Sequence, residues 1–203
     1  MKKCLPLLIL LWATIVAAQG PSYPYSVTLT WTDSTSSGVT GQNVYRASYT
    51  TSCPTATPPY TGWTKLTTTP LSATAVSYTD TSVGTNTSLC YFTTAVGTSE
   101  SGPSNVATGI TIPPAPPTGL EEVTASTGSA TFQWAQSADP GIEGNRLYCK
   151  TAVSKEFSVY DVSTHPMSAL TMELPANTYT CGTTAYTARG QSGLSSTVSF
   201  TVN

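Results

Sequence analysis

The sequence predicts an all-β chain built as two tandem antiparallel β-sandwiches, and three observations lead there. Val, Tyr, Phe and Trp recur at period two in short runs bounded by Gly, Pro, Ser and Thr, the alternation that puts one strand face inside and the other in water. The chain is also self-similar: one unit of about ninety residues is written twice. Finally, four cysteines follow the N-terminal apolar run, and an even count in an exported chain reads as disulfides.

The first element is a leader. Met1-Lys2-Lys3 is basic, Cys4–Ala18 is nearly all apolar, and Val16-Ala17-Ala18 stands ahead of Gln19. This is the pattern of a secretory signal peptide, residues 1–18, with cleavage expected after Ala18. The apolar run is shorter than the roughly 20 residues of a membrane span and contains Pro6. A secreted protein, extracellular or periplasmic, follows, with no membrane insertion of the mature chain. Loss of Lys2 and Lys3 leaves six basic against ten acidic side chains, a net charge of −4. That balance argues against nucleic-acid and anionic-membrane partners, which need clustered Lys and Arg.

The first copy spans 19–112 and the second 113–203, with a proline-rich linker, IPPAPPTG, at 112–119. Each copy has an alternating strand ending in Trp: SVTLTW at Ser26–Trp31 and SATFQW at Ser129–Trp134. Each Trp lies ten positions before a Gly (Gly41, Gly144) that opens the next strand, NVYRAS or NRLYCK. Later, TTAV (Thr93–Val96) precedes Ser101-Gly102, and TTAY (Thr183–Tyr186) precedes Ser192-Gly193. The first strand is where the copies differ. Leu120 precedes Trp134 by fourteen residues, and the equivalent place before Trp31 is residue 17, inside the leader. Only Gln19–Tyr25, with Pro21 and Pro24, is left for that strand in the mature first copy, so it is expected short or absent. An open sheet edge can accept a strand from another chain, so self-association through the first domain's sheet edge is one expectation.

A Trp in the second strand, a G-x-x-V/L-Y strand, a T-x-A-V/Y strand and a closing S-G-x-S turn resemble fibronectin type III domains, over essentially the whole mature chain. WTKLTTTPLSATAVSYTDTSV (Trp63–Val83) is similar to modules attached to bacterial secreted enzymes. The resemblance implies two tandem immunoglobulin-like sandwiches, three strands against four, with Trp31 and Trp134 in the cores. Leu174–Tyr179 resembles the family's tyrosine corner, whose Tyr hydroxyl bonds back across the bend; Leu89 holds that place in the first copy. The third and sixth strands are neighbours in this fold, which implies a core disulfide Cys149–Cys181. Cys90 is one residue out of that phase, hence outward, and is paired by the same topology with Cys53 in the loop past the third strand. Each bridge closes a loop worth roughly 4 kcal/mol in unfolded-state entropy.

Chemistry is sparse. His165 is the one histidine, in VSTHPM, with Ser163 two residues before it and no nucleophile-elbow sequence. One histidine and four cysteines assigned to bridges leave no zinc set, and Arg189-Gly190-Gln191 lacks the Asp of an integrin-binding loop. The chain is therefore read as no enzyme, with no catalytic residues, metal or cofactor. The first copy is longer between its third and sixth strands, in SYTTSCPTATPPYTGW (Ser48–Trp63). This insertion carries Tyr49, Tyr60 and Trp63 beside Cys53. Rigid aromatics give contact area at low entropy cost, so these three form a candidate binding surface; packing on the outer sheet is the competing role. The expected function is a non-catalytic secreted binding or adhesion protein contacting an extracellular polysaccharide or protein. The alternative is a structural subunit of an extracellular assembly or fibre joined by edge-strand pairing.

Overall fold

The computed structural model describes residues 12–16, 25–154, 156–162 and 169–203, the first stretch as backbone alone. The expected leader with its cleavage point, apart from Trp12–Val16, and His165 lie outside the described residues. The chain divides into two units, one ending at Ile112 and the other starting at Pro113. Both are all-β sandwiches.

In the first unit the strands are β1 (Trp12–Val16), β2 (Ser26–Thr30), β3 (Gly41–Tyr49), β4 (Thr64–Lys65), β5 (Leu71–Ser72), β6 (Ser77–Asp80), β7 (Thr87–Val96) and β8 (Ala107–Ile112). One sheet runs β1-β2-β6; the other runs β4-β3-β7-β8, with β5 also on β3. All pairings are antiparallel. The place of the first strand is taken by Trp12–Val16, ahead of the expected cleavage point; Gln19–Pro24, where that strand was expected to be short or absent, lie outside the described residues. The second unit has β9 (Thr118–Ser126), β10 (Ser129–Ala135), β11 (Gly144–Thr151), β12 (Ser158–Val162), β13 (Ala169–Glu173), β14 (Asn177–Thr187), β15 (Gly190–Gln191) and β16 (Val198–Val202). Its sheets are β13-β10-β9 and β12-β11-β14, with β15 and β16 both on β14.

The period-two pattern explains each core. In the first unit Val27, Leu29 and Trp31 from one sheet meet Val44, Leu89, Tyr91 and Ile112 from the other. In the second, Phe132 and Trp134 meet Leu147, Cys149, Tyr179 and Cys181. The S-G-x-S turns have a clear physical role. Past the middle of β7 and β14 the last strand departs, leaving backbone N–H groups that must find other partners. Ser101 and Ser104 hydroxyls accept from Ala95 and Thr93 N–H at 2.9 and 3.0 Å. Ser192 and Ser195 do the same for Ala185 and Thr183, both at 2.9 Å.

The two copies solve the same positions differently. In the second, Cys149 and Cys181 are direct register partners on β11 and β14 and are joined by a disulfide. The Tyr179 hydroxyl donates to Pro175 O at 2.9 Å, forming the corner. In the first copy the places of the two cysteines are held by Arg46 and Tyr91, which face each other across β3 and β7. Both converge on Asp80, which is 1% exposed: Arg46 Nη1 lies 2.8 Å and the Tyr91 hydroxyl 3.0 Å from Oδ2. Ser82 N and Oγ donate to Oδ1 at 2.9 and 2.7 Å. The tryptophans differ too. Trp31 Nε1 donates to Gln42 Oε1 at 2.5 Å. Asn145, at the equivalent place, is one methylene shorter and bonds Gln136 Oε1, and Trp134 Nε1 has no partner among the described residues.

Burial alone pushes the Asp80 carboxyl up, but the Ser82 hydrogen bonds and then Arg46 outweigh it and hold the carboxyl below the usual carboxylate range. A lowered folded-state pKa stabilises above the unfolded value of about 3.9 and stops doing so as pH falls through the folded one. Asp80→Ala is expected to cost the first unit about 3 kcal/mol in urea unfolding at pH 7, because Arg46 loses its buried partner. Its deficit against the wild type is expected to shrink in the acid range below about pH 4.

Candidate functional site

Alternation on β3 and β7 sends Val44, Arg46, Leu89 and Tyr91 inward, so Asn43, Tyr45, Ala47, Cys90, Phe92 and Thr94 form the outer face. An antiparallel sheet commonly leaves such a face in water. Here it is covered. Cys90 and Phe92 are 0% exposed, and the cover is the insertion between β3 and β4. Phe92 is the centre of an aromatic cluster: Tyr45 stacks on it at 4.7 Å between ring centroids, Tyr60 tilts against it at 4.9 Å, and Trp63 meets it edge-on at 4.6 Å. Cys90 points outward, as its phase predicts, but it lies beneath the insertion rather than in solvent.

The loop is folded onto itself as well as onto the sheet. Tyr60 N–H donates to Thr57 O at 2.7 Å, Trp63 N–H to Tyr60 O at 3.0 Å, and the Trp63 indole to Thr55 O at 3.4 Å. The Tyr60 hydroxyl reaches Ser101 O at 3.3 Å. Tyr60 has φ 58°, a left-handed conformation that costs a non-glycine residue roughly 1–2 kcal/mol. Its ring contacts with Tyr45 and Phe92 hold it there. The structure thus brings Tyr60 and Trp63 onto one cluster, whereas the Tyr49 hydroxyl is directed to Gly109 N–H on β8 at 3.3 Å. Both Tyr60 and Trp63 are only half-buried, while Thr51, Ser52, Thr55, Thr57, Pro58, Pro59 and Thr61 form an exposed crest.

One member of this surface escaped the sequence analysis. Glu100 Oε1 accepts from Asn43 Nδ2 at 2.9 Å, the Tyr45 hydroxyl at 2.8 Å and Thr94 Oγ1 at 2.5 Å. Burial raises this carboxyl, but those three hydrogen bonds and the charge of Lys65 bring it below its usual value. Burial and then Glu100 push the Tyr60 phenol up. The available signal was weak: an acidic residue four positions after TTAV, beside the S-G turn. The surface presents ring edges, hydroxyls and, among the described residues, the Glu100 carboxylate.

Cys53 and Cys90 are both free thiols in this structure, not the expected bridge. They are neighbours, however: burial, then the hydrogen bond with Cys53, pushes the Cys90 thiol up, and Cys90 Sγ also reaches Ala47 O at 3.7 Å.

No family model matches the chain, and no curated protein matches it. Solved structures do. A two-domain fibronectin type III segment of chicken tenascin matches with a TM-score of 0.51 over 94% of this chain and 97% of that one, at 13% identity. The fold is a tandem pair of fibronectin type III sandwiches. The FN1–FN3 domains of chicken CNTN1 match over 94% of this chain and 65% of that one, at 17% identity and TM-score 0.42. A myokine structure matches over 44% of this chain and 99% of that one, at 20% identity and TM-score 0.40. At these identities the likeness is one of fold.

The proximity of the two thiols generates a direct expectation. In protein secreted through an oxidising compartment, non-reducing peptide mapping is expected to recover Cys53 joined to Cys90, alongside Cys149 joined to Cys181. A peptide joining Cys90 to Cys149 would contradict both the pairing and the two-unit division.

Proposed function

We propose that the chain is a non-catalytic, secreted binding or adhesion module that contacts an extracellular polysaccharide or protein through the insertion of its first sandwich. One observation carries this reading: an aromatic-anchored loop, fixed on a buried sheet face, presents an exposed crest of Thr, Ser and Pro with Tyr60 and Trp63 at its base. A preorganised loop loses little entropy on binding, and half-buried Tyr and Trp supply area with few rotatable bonds. The core disulfide Cys149–Cys181 fits an exported protein, since such bonds persist in oxidising compartments.

A second reading, a subunit of an extracellular assembly joined by edge-strand pairing, is favoured by a different observation. The edge of β2 is covered by Trp12–Val16, which belongs to the expected leader.

The first reading is tested by capture on immobilised extracellular polysaccharide and, separately, on extracellular protein extract. Wild type is expected to bind one of them, and Trp63→Ala to bind at least tenfold more weakly while Trp63→Phe recovers most of the affinity. Because Trp63 also packs on Phe92, Trp63→Ala is expected to lower first-unit stability by about 2 kcal/mol, the scale of one partly buried large side chain. Capture of wild type by neither material, or equal binding of a folded Trp63→Ala protein, would contradict the reading.

A further inference from the structure

We propose that, once the leader is removed, the vacated edge of β2 is filled by β2 of a second copy, antiparallel about a twofold axis through Thr28. This rests on the assembly reading and names its partner and register.

The structure pairs β1 with β2 through five register partners: Trp12 with Thr30, Ala13 with Leu29, Thr14 with Thr28, Ile15 with Val27, and Val16 with Ser26. β1 also approaches β8 of the facing sheet. Every residue of β1 precedes Gln19, so cleavage after Ala18 removes the whole strand. What remains exposed is the outer backbone edge of a strand whose Val27 and Leu29 are core residues with 0% exposure.

The mature chain's own N-terminal segment is a poor substitute. Gln19–Pro24 must reverse direction before running back along β2, and even a tight hairpin turn uses about two residues. Pro21 and Pro24, moreover, have no N–H to give a ladder.

A second β2 fits by sequence. Laid antiparallel on Ser26–Thr30 with the axis at Thr28, it puts Val27, Thr28 and Leu29 where Ala13, Thr14 and Ile15 now stand. The apolar–Thr–apolar order is kept along the register opposite Leu29, Thr28 and Val27. A shift by one residue would send the apolar set to the wrong face. Ser26–Thr30 carries neither charge nor proline, the usual guards of a sheet edge. Twofold pairing of one edge with itself is isologous and closes at a dimer, giving a continuous sheet β6-β2-β2-β6. So short a pairing predicts a weak dimer that forms with rising concentration.

The test starts from the full precursor, expressed with export, and the secreted product. Intact mass is expected to place the N-terminus at Gln19, and light scattering to show mass rising toward twice the monomer with concentration. Thr28 points away from the core, its hydroxyl meeting Thr79 at 3.1 Å, so cysteine is tolerated there. Under mild oxidation Thr28→Cys, lying on the axis, is expected to form a covalent dimer at least tenfold faster than Thr30→Cys, whose partner is Ser26. Association without that preference would overturn the register and leave the assembly reading standing. A secreted protein that is monomeric at every concentration, or that retains Trp12–Val16, would overturn both.

Discussion

Burial of both faces of the β3–β7 pair is the constraint on which the first sandwich depends. A small antiparallel sheet ordinarily rests one face on a core and leaves the other wet. In β7 the residues from Ser88 to Thr94 are all buried, inward ones by the opposing sheet and outward ones by the insertion. Phe92 in a wet face would expose a large apolar ring. The insertion, with Tyr60, Trp63 and the Glu100 hydrogen bonds, is therefore part of the fold before it is anything else. Any binding role is built from the parts of that cover that remain exposed.

The second copy shows what happens when the constraint is met without an insertion. Gly182 stands where Phe92 stands in the first. A Cβ there would lie 2.6 Å from Leu194 Cγ, so the glycine makes room for a single Leu from the turn before β16. In the second unit Gly182 and Leu194 share the outer layer with Tyr148 and Phe157; in the first, Phe92 and a long aromatic loop fill it. Inside, the exchange runs the other way. A covalent bridge, Cys149–Cys181, occupies the place where the first copy has Arg46 and Tyr91 around Asp80. One backbone repeat thus carries a cross-link inside one unit and, where Cys53 and Cys90 oxidise, outside the other.

The core positions of Trp31 and Trp134 and the corner at Tyr179 came from the resemblance to fibronectin type III domains, whereas the strands and the repeat were legible because they follow from local alternation and turn chemistry. The outward phase of Cys90 was legible for the same reason. Its burial was not, because alternation says which side a residue faces and nothing about what covers that side. Two uses were open for Tyr60 and Trp63, contact or packing on the outer sheet, and alternation says nothing of where an insertion folds; the loop lies over Phe92. The Asp80 network was hidden because its members come from three strands, and Arg46 in NVYRAS looks like any exposed strand residue. The coverage of β2 by Trp12–Val16 escaped notice because that segment's apolar pattern reads as a leader, and a short strand is written with the same residues.

The outer face of β3 and β7 is a second small core. Phe92→Ala measures it most directly, by urea unfolding together with thiol labelling of Cys90 in reduced protein. The expected result is a loss of about 3–5 kcal/mol, as for removal of a buried Phe, with Cys90 labelled far faster as the insertion lifts. A loss below about 1 kcal/mol, typical of a surface substitution, with Cys90 still protected, would contradict it.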